Sequence, residues 1–132
     1  LIQKRSEIAE KYNQTISEID GLKPVEIIPD CKHAWHLFSC FVTADSKVDR
    51  GELVKSLTNQ HGIEIVIRFF PINLNGILRM NGCIQGGCIR CGKLENIERI
   101  WFHEQMSLPI SPQMKDEEIS YIQQSLVSSC AE

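Results

Sequence analysis

The chain has 132 residues, with 14 basic side chains against 17 acidic ones and a formal charge of −3. At 42% hydrophobic and 23% charged it has the mix of an ordinary globular domain, long enough to bury roughly two thirds of its unfolded surface without disulfide or metal staples. The acidic balance argues against a nucleic-acid or anionic-membrane partner, no apolar run approaches the ~18 residues of a membrane span, and no basic-then-apolar signal segment opens the chain; the reading is a cytoplasmic protein with reduced thiols.

In the leading segment 1–20, Ile2, Ile8, Ala9, Tyr12, Ile16 and Ile19 fall mostly three or four residues apart, which predicts an amphipathic helix over 1–19. Gly21 and Pro24 stop it, and residues 25–28 form a short extended piece. Residues 35–43 are predicted as a strand with both faces largely apolar. Asp49, with Glu52 three residues on, has the pattern of a capping box and opens a helix over 49–61 whose inner stripe is Leu53, Val54 and Leu57. The β-branched run at 63–69 is predicted as a second strand, ended by Pro71. A Gly- and Cys-rich irregular loop occupies 72–93, a helix is predicted over 94–105, an extended piece at 108–110, and a last helix at 115–128 with Ile119, Ile122 and Leu126 inward.

This order predicts a single α+β domain over 1–132, with a sheet-and-helix core at 25–112 built on a small, mainly antiparallel sheet flanked by helices. If strands 35–43 and 63–69 are neighbours, the helix between them makes that pair parallel instead. Leu37, Phe41, Leu53, Leu57, Ile65 and Ile67 are the expected core.

Four features could carry chemistry. Cys83, Cys88 and Cys91 have C-x₄-C-x₂-C spacing, and His103 or Cys130 could complete a zinc or [2Fe–2S] set; against a metal, no second C-x₂-C is present. No G-x-S-x-G elbow and no phosphate-binding P-loop occurs. His36 lies in an apolar strand, as either a hydrogen-bonded core histidine or a group at a pocket edge. Arg68, Phe70 and Asn73 close the second strand, as either a small-molecule edge or an edge arginine beside core aromatics.

A resemblance adds to this. Arg5, Ile8, Ala9 and Tyr12, then Trp35-His36-Leu37-Phe38, Asp49-Arg50-Gly51-Glu52-Leu53 with Leu57, His61-Gly62-Ile63, Phe70-Pro71, and Leu108-Pro109-Ile110-Ser111-Pro112-Gln113-Met114 before Asp116-Glu117-Glu118-Ile119 follow one another in order and spacing. Together they resemble the C-terminal part of the DegT/DnrJ/StrS-type sugar aminotransferases, over about residues 5–128. The resemblance implies a fold-type-I, pyridoxal-phosphate-dependent homodimer that moves an amino group, commonly from glutamate, to a nucleotide-linked keto-sugar. It also implies that the Schiff-base lysine and the rest of the cofactor site belong to a preceding domain, so that this chain holds no catalytic residue and no cofactor. A first residue that is Leu rather than Met fits a domain fragment or a processed start.

In a full-length enzyme the candidate substrate-facing residues are His36, Arg68, Phe70 and Asn73. The implied partners are the cofactor domain and a second subunit. Taking the partner domain away should leave a bare apolar face around Ile2, Ile8 and Ile16 and around Phe69, Phe70, Ile72 and Leu74, and make the chain a homo-oligomer. The chain departs from the family at Phe70, where His or Tyr is common, and at Lys115, where Thr commonly caps the last helix. The alternatives are a stand-alone interaction or oligomerisation protein descended from that domain, and a small zinc or iron–sulfur module.

Overall fold

A computed structural model of the chain describes residues 1–77 and 94–131. The elements follow in order as α1 (Ile2–Ser17), β1 (Leu22–Pro24), β2 (Phe38–Val42), α2 (Arg50–Lys55, continued by a wide π turn over Ser56–Gln60), a 3₁₀ turn (Ile72–Leu74), α3 (Glu95–Arg99, continued by a π turn over Ile100–Glu104), β3 (Gln105–Leu108) and α4 (Asp116–Ala131). Among the described residues the sheet has the order β1-β2-β3, antiparallel throughout. The α+β class with a small antiparallel sheet therefore holds.

Pairing places Leu22 opposite Val42 on one side of β2, and Leu108 and Met106 opposite Phe38 and Cys40 on the other. Alternate residues of a strand share a face, so Phe38, Cys40, Val42, Met106 and Leu108 form one apolar surface. Three helices cover it. Ile8, Ala9, Tyr12 and Ile16 come from α1, Leu53 from α2, Leu57 from its π turn, and Ile119, Ile122 and Leu126 from α4, all in one buried cluster. The Tyr12 ring meets Phe38 edge-on at 5.1 Å and its hydroxyl donates to the Pro109 carbonyl at 3.0 Å. Burial raises the Tyr12 hydroxyl well above its ordinary pKa and pushes the Cys40 thiol up to about 12, which makes Cys40 an inert small core residue.

Local signals account for several boundaries. The Asp49 carboxylate accepts from the Glu52 amide at 2.9 Å, as an N-cap does. Lys115 has no acceptor to offer α4, but the other half of that capping box remains: its backbone N–H donates to Glu118 Oε2 at 2.8 Å. Gly21, at φ +81°, allows a close crossing, because a Cβ there would lie 2.3 Å from Ser46 Cα. No helix among the described residues is long and apolar enough to cross a membrane.

Four expectations are corrected. The core face of β2 is Phe38, Cys40 and Val42; Leu37 and Phe41 are half-buried on the other side. Leu37 and Phe41 are apolar as well and only Ser39 lies between them on that face, so alternation gave a weak signal and the helices chose. Residues 63–69 do not form a strand. They touch the sheet at one antiparallel bridge, Val66 with Ser107, with N–H···O distances of 3.2 and 2.8 Å, and Ile65 and Ile67 are only half-buried. Beyond the bridge the Gln105 side chain takes over: its Oε1 accepts from the Arg68 amide at 3.2 Å, so a side chain stands where a ladder bond would be. The predicted helix over 94–105 ends in a π turn, and Gln105–Leu108 is a strand instead. Ile8 and Ile16 are core residues, not a bare face, while Ile2 is exposed.

Two outcomes follow in unfolding experiments. Phe38→Ala costs about 3–5 kcal/mol by urea denaturation, and Leu37→Ala less than half of that. The second concerns α1 and α4, joined where Lys11 Nζ donates to Asp116 Oδ1 at 2.8 Å. That hydrogen bond, then the positive charge of Lys11 and of Lys4, hold the Asp116 carboxyl below its ordinary value. The stability tied to it is fully present above the unfolded carboxylate value and is lost as pH falls through the lower, folded one. Asp116→Asn flattens that limb of the stability–pH curve, and added salt reduces the difference between variant and parent.

Candidate functional site

The residues singled out at 68–73 lie along a ridge made of two chain segments. Pro71, itself buried, starts the 3₁₀ turn at Ile72–Leu74. Alongside runs α3 with its π turn, in the opposite direction. Arg68 meets Gln105 through its amide, the Phe70 ring meets Trp101 edge-on at 5.1 Å and 83°, and Asn73 Nδ2 donates to Glu98 Oε1 at 2.8 Å. Trp101 continues the aromatic row, meeting Phe102 at 4.8 Å.

Arg50 and Arg99 hold the π turn. The Arg50 guanidinium donates to the carbonyl of Gln105 at 3.3 Å and to that of Phe102, and Arg99 pairs with Glu104. Burial lowers the Arg50 pKa from its ordinary value, against the opposing charge of Asp49. Behind the ridge, Gln105 Nε2 donates to Ser107 Oγ at 2.9 Å, and the Ser39 and Ser107 hydroxyls lie 3.2 Å apart. Such a satisfied network fixes the side chains that carry the ridge.

Of the four expected site residues, Arg68 and Phe70 are exposed on the ridge, and Asn73 is buried beneath it at 4% exposure. Asn73 acts through Glu98 on the position of the turn. His36 is exposed and stands apart, at a small cleft of about 160 Å³ shared with Glu64, Val66 and Ser107. Glu98, Trp101 and Gln105 escaped sequence reading. Each falls in a segment read as an ordinary amphipathic helix, and only their contacts with 68–73 give them a role.

The runner-up metal set falls mostly outside the described residues, where Cys83, Cys88 and Cys91 lie. His103 is exposed on the π turn, lining a cavity of about 450 Å³ with Lys47, Arg50 and Glu104. Cys130 is half-buried at the end of α4, its thiol pushed up to about 11 by burial. Among the described residues no group of three or more His, Cys, Asp or Glu could hold a metal ion.

Pyridoxal phosphate would need a desolvated lysine, a carboxylate for the ring nitrogen and a phosphate cradle. The described lysines do not fit. Lys11, Lys23, Lys32, Lys47, Lys55 and Lys115 are exposed, and Lys4 is half-exposed beside Glu7. Lys47, at the mouth of the His103 cavity, has no aromatic carbocycle in that lining on which a pyridine ring could stack.

The arrangement of three helices on one face of a short antiparallel sheet recurs in solved sugar aminotransferases. Helicobacter pylori PseC, an aminotransferase involved in the biosynthesis of pseudoaminic acid, superposes with a TM-score of 0.77 at 20% identity, over 99% of this chain and 33% of that one. Bacillus subtilis NtdA, solved with the bound cofactor PMP, superposes with a TM-score of 0.75 at 20% identity, over 98% of this chain and 28% of that one. In sequence, the spore coat polysaccharide biosynthesis protein SpsC of Bacillus subtilis is 27% identical over 120 residues, 89% of this chain and 29% of SpsC. The DegT/DnrJ/EryC1/StrS aminotransferase family matches residues 1–127, and the chain belongs to that family. It spans about 29% of the length of the curated relatives it matches.

The ridge depends on the Asn73–Glu98 contact. Asn73→Ala leaves that carboxylate without its amide donor and costs roughly 1–2 kcal/mol in urea unfolding. It also changes the near-UV circular dichroism of Trp101, which a loss confined to the helix-covered face would leave alone.

Proposed function

We propose that this chain is the C-terminal domain of a cytoplasmic, pyridoxal-phosphate-dependent aminotransferase that acts on nucleotide-linked keto-sugars in amino-sugar biosynthesis. The observation that carries the reading is the family match over residues 1–127, in a chain that spans less than a third of its relatives. In this reading the cofactor is held by the rest of the enzyme. When bound there, it supplies the electron sink through which an amino group is transferred. This domain closes the substrate cleft, has no catalysis of its own, and works beside a cofactor domain and a second subunit.

The ridge chemistry suits such a cleft. Arg68 is exposed at its end and offers a planar fork of donors for a phosphate oxygen. Phe70 presents an apolar edge for a sugar or base face. Asn73 holds the turn between them in place through Glu98, and is a positioning residue. His36, exposed in the bend that precedes β2 and not in the strand expected there, serves as a second hydrogen-bonding group at the rim.

The test is a chimera in which this chain replaces the C-terminal domain of an intact family aminotransferase. The chimera binds the cofactor and transfers an amino group from glutamate to a nucleotide-linked keto-sugar, and Arg68→Ala within it raises KM for the sugar nucleotide roughly tenfold or more. The isolated chain, incubated with pyridoxal phosphate and reduced with borohydride, gives no stoichiometric adduct on any one lysine. A single-lysine adduct, or a folded chimera without transfer, overturns the reading.

A further inference from the structure

The bridge between Val66 and Ser107 is followed on one side by the Gln105 side chain and on the other by a proline. Hydrogen-bonded pairs of an antiparallel ladder recur at every second residue, so the next pair beyond Val66 and Ser107 would be Glu64 with Pro109. Pro109 has no N–H to donate, and its carbonyl already accepts from the Tyr12 hydroxyl at 3.0 Å. Among the described residues the Glu64 N–H and carbonyl therefore have no hydrogen-bond partner.

An open groove of about 660 Å³ lies here, with Gly62–Glu64 on one wall and Pro109–Ser111 on the other. Its lining is mainly apolar: Ile63 and Ile122 are buried, and Ile110 and Met114 are half-buried. Tyr121 borders it from α4, and its hydroxyl donates to the His61 carbonyl at 2.9 Å, which fixes the ring. At the rim, Glu64 and Glu117 are exposed carboxylates with no ion-pair partner among the described residues, while Glu118 accepts from the Lys115 amide. No described lysine or arginine lines the groove. Nor does any of His36, Arg68, Phe70 and Asn73, so an occupant here leaves the ridge open to substrate.

We propose that this groove is a docking site for an extended segment of another protein, in which an apolar residue stands next to a lysine or arginine. The backbone of the segment takes up the N–H and carbonyl that Glu64 leaves unpaired, as a strand added to a sheet edge does. Its apolar side chain enters among Ile63, Met114 and Ile122, and its cation lies against Glu64 and Glu117. An acidic segment would meet like charge at the rim, and an apolar molecule without amides would leave the Glu64 backbone unpaired. The proposal goes beyond the aminotransferase reading and does not rest on it, because the groove shares no residue with the substrate-facing set.

The probe is a blocked tetrapeptide of alanine, leucine, lysine and alanine, titrated into the isotope-labelled 132-residue chain while backbone amide shifts are followed by NMR. It binds with a Kd below about 1 mM, and the shifts concentrate at 62–64, 110–111 and 117–122. Glutamate in place of the peptide's lysine weakens binding at least about tenfold. N-methylation of its leucine and lysine amides, which removes donors and keeps the charge, also weakens it about tenfold. Glu64→Gln with Glu117→Gln, checked for folding by circular dichroism, loses up to about fivefold per carboxylate for the lysine peptide and no longer prefers it to the glutamate one. Shifts outside the groove, or no saturation by about 10 mM, overturn the proposal. So does a charge preference that the double variant keeps, or an N-methylated peptide that binds as well as its parent. In the folded chimera the probe binds with the same affinity; its loss there means that the rest of the enzyme covers the groove, and overturns the proposal too. Amino transfer by the chimera has no part in these readouts, so this proposal and the aminotransferase reading fail separately.

Discussion

Everything described depends on which face of β2 the helices cover. This strand pairs with β1 through Cys40–Val42 and with β3 through Phe38–Phe41, so it cannot turn over without breaking both ladders. Once Phe38, Cys40 and Val42 face the helices, pairing carries Met106 and Leu108 to the same side, and Tyr12 can reach the Pro109 carbonyl. The opposite side then inherits Ser39, Gln105 and Ser107, the polar set that anchors Arg68 and supports the ridge. A one-residue change of register would exchange the two sets and place serines and a glutamine against the helices, with their hydrogen bonds unmet.

The division of the sheet into an apolar and a polar side also explains why the edge beside β3 stays short. In an extended ladder, residues 63–69 would offer unpaired backbone groups to any passing strand. Here the backbone pairs once, at Val66 and Ser107, and the Gln105 side chain occupies the next position. The chain is thereby released from the sheet at Arg68 and free to turn at Pro71. The aromatics that follow are carried outward instead of inward, and α3, linked through Glu98, holds them there. Phe69, Phe70 and Ile72 are therefore exposed along the ridge rather than added to the core.

Much of the site's chemistry was legible as residue types, and little of it as geometry. Arg68, Phe70 and Asn73 stand out because an arginine and an amide flank aromatics where a β-branched run ends. That Asn73 lies buried beneath the ridge rather than on it could not be read there, because an amide beside apolar residues is compatible with either position. Glu98 and Trp101 gave no signal, since a helix of this composition has the same pattern whether or not another segment packs along it. β3 was hidden for a related reason: Gln105-Met106-Ser107-Leu108 has no β-branched residue, and it is a strand because β2 offers it a hydrogen-bonding edge.

What the sequence by itself determined is the set of features that need only neighbours along the chain. The amphipathic periods of α1 and α4, the Asp49 cap with the inner stripe of α2, the stops at Gly21 and Gly62, and the ordered motifs that define the family are all local in this sense. Tertiary structure alone decided the buried parity of β2, the strand at 105–108, the loss of a strand at 63–69 and the antiparallel alignment of 68–73 with 98–105. Each of these turns on a competition between two locally equal arrangements. Leu37 and Phe38 are both apolar, and a β-branched run can be extended with or without a ladder. Such a tie is broken by the partner that arrives from a distant part of the chain, because burial and hydrogen-bond satisfaction belong to the pair and not to either segment.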